Sequence, residues 1–202
     1  MKKEAAELII FDLGRVLVDF DFKRVVRGLR RYTALNQKQI QDYFLRTPLW
    51  DAFEKGRLPP SEFFETLRDE LGFRGLSFEK FAPLWNHIFT VKPDTVEILR
   101  QLRGRYRTAM LSNVNVMHWE HIRARHAFMS WFDYPVASYA VGYRKPEAEI
   151  FRIVLARAGV SPGRAIFIDD IASHVRAARS IGIRAYRFKN ARQLKRDLAE
   201  VL

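Results

Sequence analysis

The sequence predicts an α/β fold in which helices cover both faces of a parallel sheet. Short apolar runs end in polar residues or turns at several places, and segments with helical spacing of apolar residues separate these runs. Strands that alternate with helices of this length typically form a parallel sheet. One long stretch, residues 17–92, has helical spacing but no convincing strand. We therefore expect a three-layer αβα, Rossmann-like core with an inserted helical segment.

Four segments have the character of buried strands. The first, Leu8–Phe11, is followed by Asp12 and Gly14, which indicate a turn. The other three run over residues 108–111, 165–168 and 184–188. Helical spacing predicts helices over residues 93–102, 147–158 and 174–181. Each of these helices connects one predicted strand to a later one, as a parallel sheet requires.

The stretch 17–92 differs in composition from the remainder of the chain. It is rich in aromatic residues, and it contains turn signals at Pro59, Pro60, Gly72 and Gly75. We predict that residues 1–16 and 93–202 form the α/β core domain and that residues 17–92 form a helical cap domain. Most of the aromatic side chains are expected in the insert's own core, and the others are candidates for lining a substrate pocket.

The composition is typical of a globular protein that folds in water. Of the 202 residues, 48% are hydrophobic and 29% are charged, which excludes the low-hydrophobicity signature of disorder. No apolar run approaches the roughly 18 residues that cross a bilayer, and we expect neither a membrane span nor a secretory signal. The absence of cysteine excludes disulfides, thiolate nucleophiles and Cys-ligated zinc. We expect a cytoplasmic protein.

The formal net charge of +12 arises from 35 Lys and Arg against 23 Asp and Glu. A field of this sign attracts nucleic acid, a membrane surface, or a small phosphate or carboxylate. The basic residues are spread along the whole chain without a basic tail, which is more typical of solvated helix faces than of a nucleic-acid footprint. The charge distribution therefore favours a small phosphate or carboxylate over nucleic acid, and the oligomeric state stays open.

Short polar residues stand where the predicted strands end. Asp12 follows the first strand, Ser112 and Asn113 follow the second, and Asp169 and Asp170 follow the third. In an open parallel sheet, ligands bind beyond the carboxyl ends of the strands. Taken singly, each of these residues also suits a helix N-cap.

A lysine adds the opposite charge to this set. Lys145 lies just before a helix that Pro146 is suited to start. The adjacent carboxylates Asp169 and Asp170 repel each other unless a cation or a lysine offsets them. Mg²⁺ does this well, because it prefers a few carboxylate oxygens together with waters and a substrate phosphate. The residues therefore predict a site with both signs of charge, in which Mg²⁺ or the lysine offsets the two carboxylates.

Four motifs together resemble those of the haloacid dehalogenase superfamily of phosphatases. In chain order they are Phe11-Asp12-Leu13-Gly14, Leu111-Ser112-Asn113, Arg144-Lys145-Pro146-Glu147 and Phe167-Ile168-Asp169-Asp170. The place and length of the helical insert resemble the C1-capped branch. The stretches FDLGRVLVDFD, LSNVN and YRKPEAEIF are similar to the glucose-1-phosphate phosphatase-like group, which is related to the phosphatase domain of soluble epoxide hydrolase.

The resemblance implies a catalytic role for several of these residues. Asp12 would attack phosphorus and form an aspartyl-phosphate, which water then hydrolyses. Ser112 and the backbone N–H of Asn113 would bind the phosphoryl group. Lys145 would hold the nucleophile and the phosphate together. The implied reaction is hydrolysis of a small phosphomonoester, with a sugar phosphate as the expected substrate. The implied partner is thus a small phosphorylated metabolite.

The resemblance also implies the ligands of the metal. Mg²⁺ would be bound by Asp12, by the backbone carbonyl of Gly14 and by Asp170, with Asp169 in or near its coordination shell. Asp170 aligns with the family's principal acidic ligand and is preferred over Asp169 for direct contact.

Gly14 departs from the pattern of most family phosphatases, which carry an aspartate there as the general acid. The glucose-1-phosphate phosphatase-like group itself shows glycine at this position. A general acid typically contributes about 10²- to 10⁴-fold in rate, so its loss slows the reaction without abolishing it. Either Asp19, Asp21 or a cap residue transfers the proton, or the leaving group needs none. For Asp19 and Asp21 the alternative is a capping or solvated pair at the start of the insert.

Other polar residues have weaker signals. His118 and His121 have helical spacing, with His126 further on, but a further zinc-ligand set is absent from the sequence. Surface or pocket-lining histidines are the favoured interpretation, and His118 is a candidate for bordering the substrate pocket. Arg15 either contacts the substrate or adds to the basic surface.

Two alternative functions stay open at this point. A 2-haloacid dehalogenase uses the same aspartate on carbon and needs no metal, and the Asp169–Asp170 pair argues against it. A non-catalytic protein that binds anions or nucleic acid on the same scaffold is supported only by the net charge and by Gly14.

Overall fold

The computed structural model describes residues 5–199, and every element below lies within that range. The strands are β1 (Leu8–Phe11), β2 (Val18–Phe20), β3 (Phe89–Val91), β4 (Arg107–Ser112), β5 (Tyr134–Ala137), β6 (Ala165–Asp169) and β7 (Arg184–Arg187). The helices are α1 (Phe22–Leu29), α2 (Gln37–Arg46), α3 (Leu49–Glu54), α4 (Pro60–Glu70), α5 (Phe78–Asn86), α6 (Pro93–Leu102), α7 (Val116–Arg125), α8 (Ser138–Val141), α9 (Ala148–Ala158), α10 (Ala172–Ser180) and α11 (Ala191–Ala199). None of these helices combines the length and the apolar character that a bilayer crossing requires.

Five of the strands form one parallel sheet in the order β5–β4–β1–β6–β7. The four strands predicted from the sequence are all in it. β1 lies in the centre, and Phe11 at its end is opposite Met110 of β4 and Ile168 of β6. The residues that follow β1, β4 and β6 therefore meet at one edge of the sheet.

The side chains of the central strands alternate between two apolar cores. Ile9 and Phe11 pack with residues of α6, α7 and α11, whereas Leu8 and Ile10 pack with residues of α9 and α10. Because successive side chains of a strand point to opposite faces, helices cover both sides of the sheet. The predicted three-layer αβα core is confirmed.

The strand β5 is not evident from the sequence, because Pro135 interrupts its short run. Proline has no N–H to donate to a ladder, so it is rare in central strands. Within residues 5–199, β5 is an edge strand that pairs only with β4. A proline is tolerated at that place.

The helices α1 to α5 lie between β2 and β3 and share a core of their own. This core contains Val25, Leu29, Phe53, Phe63, Phe64, Leu67, Phe81 and Trp85. Its rings are closely packed, and those of Phe53 and Phe63 stack with centroids 4.0 Å apart. The aromatic residues of this stretch thus serve mainly as core. The division of the chain into core and cap domains stays a prediction.

The expectation that residues 17–92 contain no strand is wrong. β2 and β3 pair antiparallel, with Val18 opposite Val91 and Phe20 opposite Phe89. Each strand has only three residues, and its partner lies far along the chain, so no local periodicity reveals it. This ribbon joins the two points where the chain enters and leaves the helical segment.

Candidate active site

The centre of the site is a lysine held between two carboxylates. Nζ of Lys145 lies 2.7 Å from Oδ1 of Asp12 and 2.7 Å from Oδ2 of Asp169. The three side chains are 1%, 9% and 0% exposed, respectively. Buried charges are costly unless they are paired and hydrogen-bonded, and here each carboxylate has the ammonium group as its partner. With all three groups ionised, the trio carries one net negative charge.

The sheet positions both carboxylates. The N–H of Asp12 donates to the carbonyl of Ile168 at 2.9 Å, which continues the ladder between β1 and β6 by one residue. Oδ1 of Asp12 also accepts from the N–H of Leu13 at 2.7 Å. Asp169 is the last residue of β6, and its Oδ1 accepts from the N–H of Ile171 at 2.7 Å. Both side chains are therefore fixed by the backbone at the sheet edge.

Asn113 fixes the main chain of Lys145. Its Oδ1 accepts from the N–H of Lys145 at 2.7 Å, and its Nδ2 donates to the carbonyl of Lys145 at 2.8 Å. The amide side chain is thus occupied at both ends. Ser112 precedes it as the last residue of β4 and is buried. The second and third motifs are joined by this pair of hydrogen bonds.

Three carboxylates converge at the sheet edge. Asp12, Asp169 and Asp170 each offer an oxygen atom, and these oxygens lie within 4.8 Å of one another. Burial and the negative charge of Asp169 raise the pKa of Asp170. Carboxylate oxygens in such a group suit Mg²⁺, and a cation there would relieve the repulsion between them. The residues present fit a divalent cation.

The charges within the trio are set by burial and by the close contacts. Burial raises the pKa of Asp12, although Lys145 acts in the opposite direction. Burial also raises the pKa of Asp169, but Lys145 and a hydrogen bond from His174 outweigh it and bring this pKa to about 2. Burial lowers the pKa of Lys145, but the two carboxylates outweigh burial and raise this pKa above its ordinary value. Asp169 is therefore the permanent counter-ion of the protonated lysine.

His174 is a site residue that the sequence does not single out. Its Nδ1 donates to Asp169, at 3.0 Å from Oδ2 and 3.1 Å from Oδ1, and the ring is buried. Its only sequence signal is its place one turn beyond the Asp169–Asp170 pair, in the first turn of α10. Together with Lys145 and Ile171, it satisfies the oxygens of Asp169.

Asp19 and Asp21 do not line the cavity that adjoins Ser112 and Asn113. The side chain of Asp21 caps α1 by accepting from the N–H of Lys23 at 3.0 Å. Asp19 is half-exposed and lies 3.4 Å from Nζ of Lys92. The capping and solvated roles are thus the ones observed. Arg15 is also at the surface, with its guanidinium 4.4 Å from the ring centroid of Phe20.

A cavity of about 500 Å³ extends from the first two motifs, which we call the phosphate motifs, into the helical segment. Gly14, Ser112 and Asn113 line one end, and aromatic residues of β2, α1 and α2 line the other. His118 borders this cavity, as expected. Its Nδ1 accepts from Nδ2 of Asn115 at 3.0 Å, and its Nε2 donates to the carbonyl of Trp85 at 3.1 Å. Burial lowers the pKa of His118 to about 4, so the ring is neutral.

Ion pairs connect the helical segment to the segment that carries Lys145. Nη2 of Arg144 lies 2.8 Å from Oε2 of Glu54, and its Nη1 lies 3.2 Å from Oδ1 of Asp51. Nζ of Lys55 lies 2.5 Å from Oε1 of Glu147. Burial raises the pKa of Glu54, although Arg144 opposes this. The sequence does not reveal these contacts, because each joins residues far apart in the chain.

Known proteins share both the sequence pattern and the fold. A D-ribitol-5-phosphate phosphatase from Bacteroides thetaiotaomicron is 27% identical over 96% of this chain and 97% of its own length. A sesquiterpene phosphatase from Aspergillus oryzae is 28% identical over 86% of this chain and 85% of its own length.

A solved structure and a family model agree with these relatives. A haloacid dehalogenase family enzyme from Bacteroides thetaiotaomicron, in complex with magnesium and inorganic phosphate, superposes with a TM-score of 0.82. It is 27% identical, and the match covers 92% of this chain and 95% of that one. The model of haloacid dehalogenase-like hydrolases matches residues 6–182. Because this match spans most of the sequence and contains all four motifs, the chain belongs to the haloacid dehalogenase-like hydrolases.

Proposed function

We propose that the chain is a Mg²⁺-dependent phosphatase that hydrolyses a small phosphomonoester through an aspartyl-phosphate on Asp12. The observation that carries this proposal is the buried ammonium of Lys145 between Asp12 and Asp169, with Asp170 within reach of the same point. The relatives named as phosphatases and the neighbour solved with magnesium and phosphate support it.

The residues at the sheet edge supply positioning and charge. A carboxylate oxygen of Asp12 forms a bond to phosphorus while the bond from phosphorus to the ester oxygen breaks, and the alcohol leaves with a proton taken from water. A water molecule then hydrolyses the acyl phosphate, which releases phosphate and restores the carboxylate. Lys145 and the N–H of Leu13 hold the carboxylate in one orientation before the attack. Lys145 also neutralises charge on the phosphoryl oxygens, and the hydroxyl of Ser112 donates to one of them.

Asp12, Asp170 and the backbone carbonyl of Gly14 would hold the Mg²⁺ ion. When bound, Mg²⁺ neutralises the phosphate dianion so that an anionic carboxylate can approach it. Asp169 already accepts from Lys145, from His174 and from a backbone N–H. Its oxygens are therefore less available, which favours Asp170 as the direct ligand.

The helical segment completes the proposed enzyme. We place residues 1–16 and 93–202 in the core domain and residues 17–92 in a cap domain that closes over the phosphate motifs. A closed cap excludes water and sets the specificity for the organic group. The location we propose is the cytoplasm, on the basis of the cysteine-free composition.

Steady-state hydrolysis of p-nitrophenyl phosphate, with Mg²⁺ or with EDTA, tests this function. We expect turnover that requires Mg²⁺ and that Asp12→Asn reduces by at least about 10³-fold, since the nucleophile is lost. Asp19→Asn is the matched control, because its carboxylate lies outside the cavity.

The same preparation separates the alternative functions. Metal-independent release of chloride from 2-chloropropionate, without phosphate release, would establish a dehalogenase. Binding of inorganic phosphate without turnover of any ester would establish a binding protein. Equal losses in Asp12→Asn and Asp19→Asn would contradict the proposed nucleophile.

A further inference from the structure

We propose that the substrate is a phosphate ester of an apolar organic group, and that β2 and the helical segment bind that group. This inference rests on the proposed phosphatase function and adds the substrate class to it. The chemistry that recognises such a group is an apolar wall that begins beside the phosphate motifs and has few free hydrogen-bonding groups.

The wall of the cavity is mainly aromatic and aliphatic. Beyond the phosphate motifs it is lined by Phe20, Phe22, Phe44, Leu45, Trp50 and Phe89. Its volume of about 500 Å³ lies in the range of sites that enclose most of a small organic ligand. A pocket with this lining gains free energy from each methylene that it removes from water.

The apolar wall reaches the reaction centre. Gly14 lies two residues from Asp12, and a Cβ atom at this position would lie 3.3 Å from Cε1 of Phe20. The ring therefore packs directly against the backbone of the first motif. The atoms of a substrate next to the phosphate would meet this ring instead of a polar side chain.

Among the described residues, most polar side chains that line the cavity already have partners, and apart from Ser112 the amide of Gln41 in α2 is the one without a hydrogen bond. The Asn113 amide is bound at both ends by the main chain of Lys145, and both ring nitrogens of His118 are hydrogen-bonded. The carboxylate of Glu54 is paired with Arg144. Ser112 belongs to the phosphate end. The hydroxyl groups of a polyol would enter this cavity with few partners, which is costly.

One exposed leucine also belongs to the wall. Leu45 is 83% exposed, the highest value among the exposed large hydrophobic side chains of residues 5–199, and it lines this cavity. An exposed apolar side chain at the mouth of a cavity is expected where an apolar ligand covers it.

A matched pair of substrates tests the proposal. Pentyl phosphate and ribitol 5-phosphate have the same number of carbon atoms and differ in the hydroxyl groups. We expect kcat/KM for pentyl phosphate to exceed that for ribitol 5-phosphate by at least about 100-fold. In the series from propyl to octyl phosphate, below the micellar concentrations, we expect kcat/KM to rise about fourfold per methylene.

The wall is tested by Leu45→Asn, which changes an exposed position and so preserves the fold. We expect this variant to reduce kcat/KM for octyl phosphate by about tenfold and to flatten the dependence on chain length. Arg46→Asn, the next residue of α2 and outside the cavity lining, is the control and should retain the wild-type slope.

The outcomes separate this inference from the function on which it rests. Mg²⁺-dependent hydrolysis of p-nitrophenyl phosphate, combined with an equal or higher kcat/KM for ribitol 5-phosphate than for pentyl phosphate, would overturn the apolar substrate and leave the phosphatase intact. A flat chain-length series would do the same. Failure to hydrolyse any of these esters would overturn the phosphatase and, with it, this proposal.

Discussion

Replacing Lys145 by methionine should destabilise the protein strongly, because it leaves two buried carboxylates without their counter-ion. Methionine is close to lysine in length and is apolar, so the substitution removes the ammonium group with little change in packing. Nζ of Lys145 contacts Asp12 and Asp169 at 2.7 Å, and these side chains are 9% and 0% exposed. Water therefore cannot solvate the carboxylates that remain.

The magnitude follows from the contact distances. At an effective dielectric constant of about 20, each pair at 2.7 Å attracts by about 6 kcal/mol. The desolvation of all three groups offsets most of this attraction. Removing one partner of a buried pair typically costs about 3–5 kcal/mol, because the other charge stays buried. We expect Lys145→Met to lower the free energy of unfolding by this amount at pH 7.

Urea unfolding followed by circular dichroism measures this loss, in EDTA so that no cation takes the place of the ammonium group. Asp12→Asn in the same background should restore about half of it, because only one buried charge is then unpaired. A loss below about 1 kcal/mol in Lys145→Met would show that the trio is not charged as described. So would a double variant whose loss of unfolding free energy equals the sum of the losses of the two single variants.

Three further predictions concern stability and rate. The pKa of His118 is about 4 in the folded chain and about 6.5 in the unfolded chain. Unfolding between these pH values takes up a proton, so the free energy of unfolding should fall by about 3 kcal/mol as the pH drops from 6.5 to 4. Urea titrations of His118→Gln should lack this component. Gly56→Ala should lower the free energy of unfolding by more than about 2 kcal/mol, because φ is +67° and the Cβ would lie 2.1 Å from a backbone carbonyl oxygen of α8. The control Gly72→Ala has a φ of +61° and open space around the Cβ, and it should lower the free energy of unfolding by about 1 kcal/mol in the same urea assay. Gly14→Asp in a Phe20→Ala background should raise kcat for alkyl phosphates by up to about 10²-fold over Phe20→Ala alone. The gain for p-nitrophenyl phosphate should be small, because its leaving group needs no proton. Equal gains for the two esters in steady-state assays would contradict a missing general acid.

The sheet and its polar edge could be predicted because their signals are local. The residues of Leu8–Phe11 are buried on both faces, so they form a continuous apolar run that ends abruptly at Asp12. Parallel pairing then brings the ends of β1, β4 and β6 together without further information. The juxtaposition of Asp12 and Asp169 is a consequence of strand order and register.

The remaining parts of the site depend on contacts between distant residues. The ribbon of β2 and β3 has too few residues for a periodicity, and its register is set by a partner beyond the whole helical segment. His174 and Glu54 are ordinary polar residues of amphipathic helices until the fold brings them to Asp169 and Arg144. The cavity wall likewise consists of aromatic residues that composition alone cannot distinguish from core.

The contacts of Arg144 connect the organic group of the substrate to the chemistry at the sheet edge. Trp50 of α3 lines the cavity, and Asp51 and Glu54 on the same helix bind Arg144, which directly precedes Lys145. We therefore expect a ligand in the cavity to contact the same helix whose ion pairs fix the position of Arg144. Because small displacements of a charged group at the reaction centre reduce the rate steeply, changes in the cavity wall should lower kcat as well as raise KM. We therefore expect the specificity and the catalytic rate to change together when α3, a helix of six residues, is displaced.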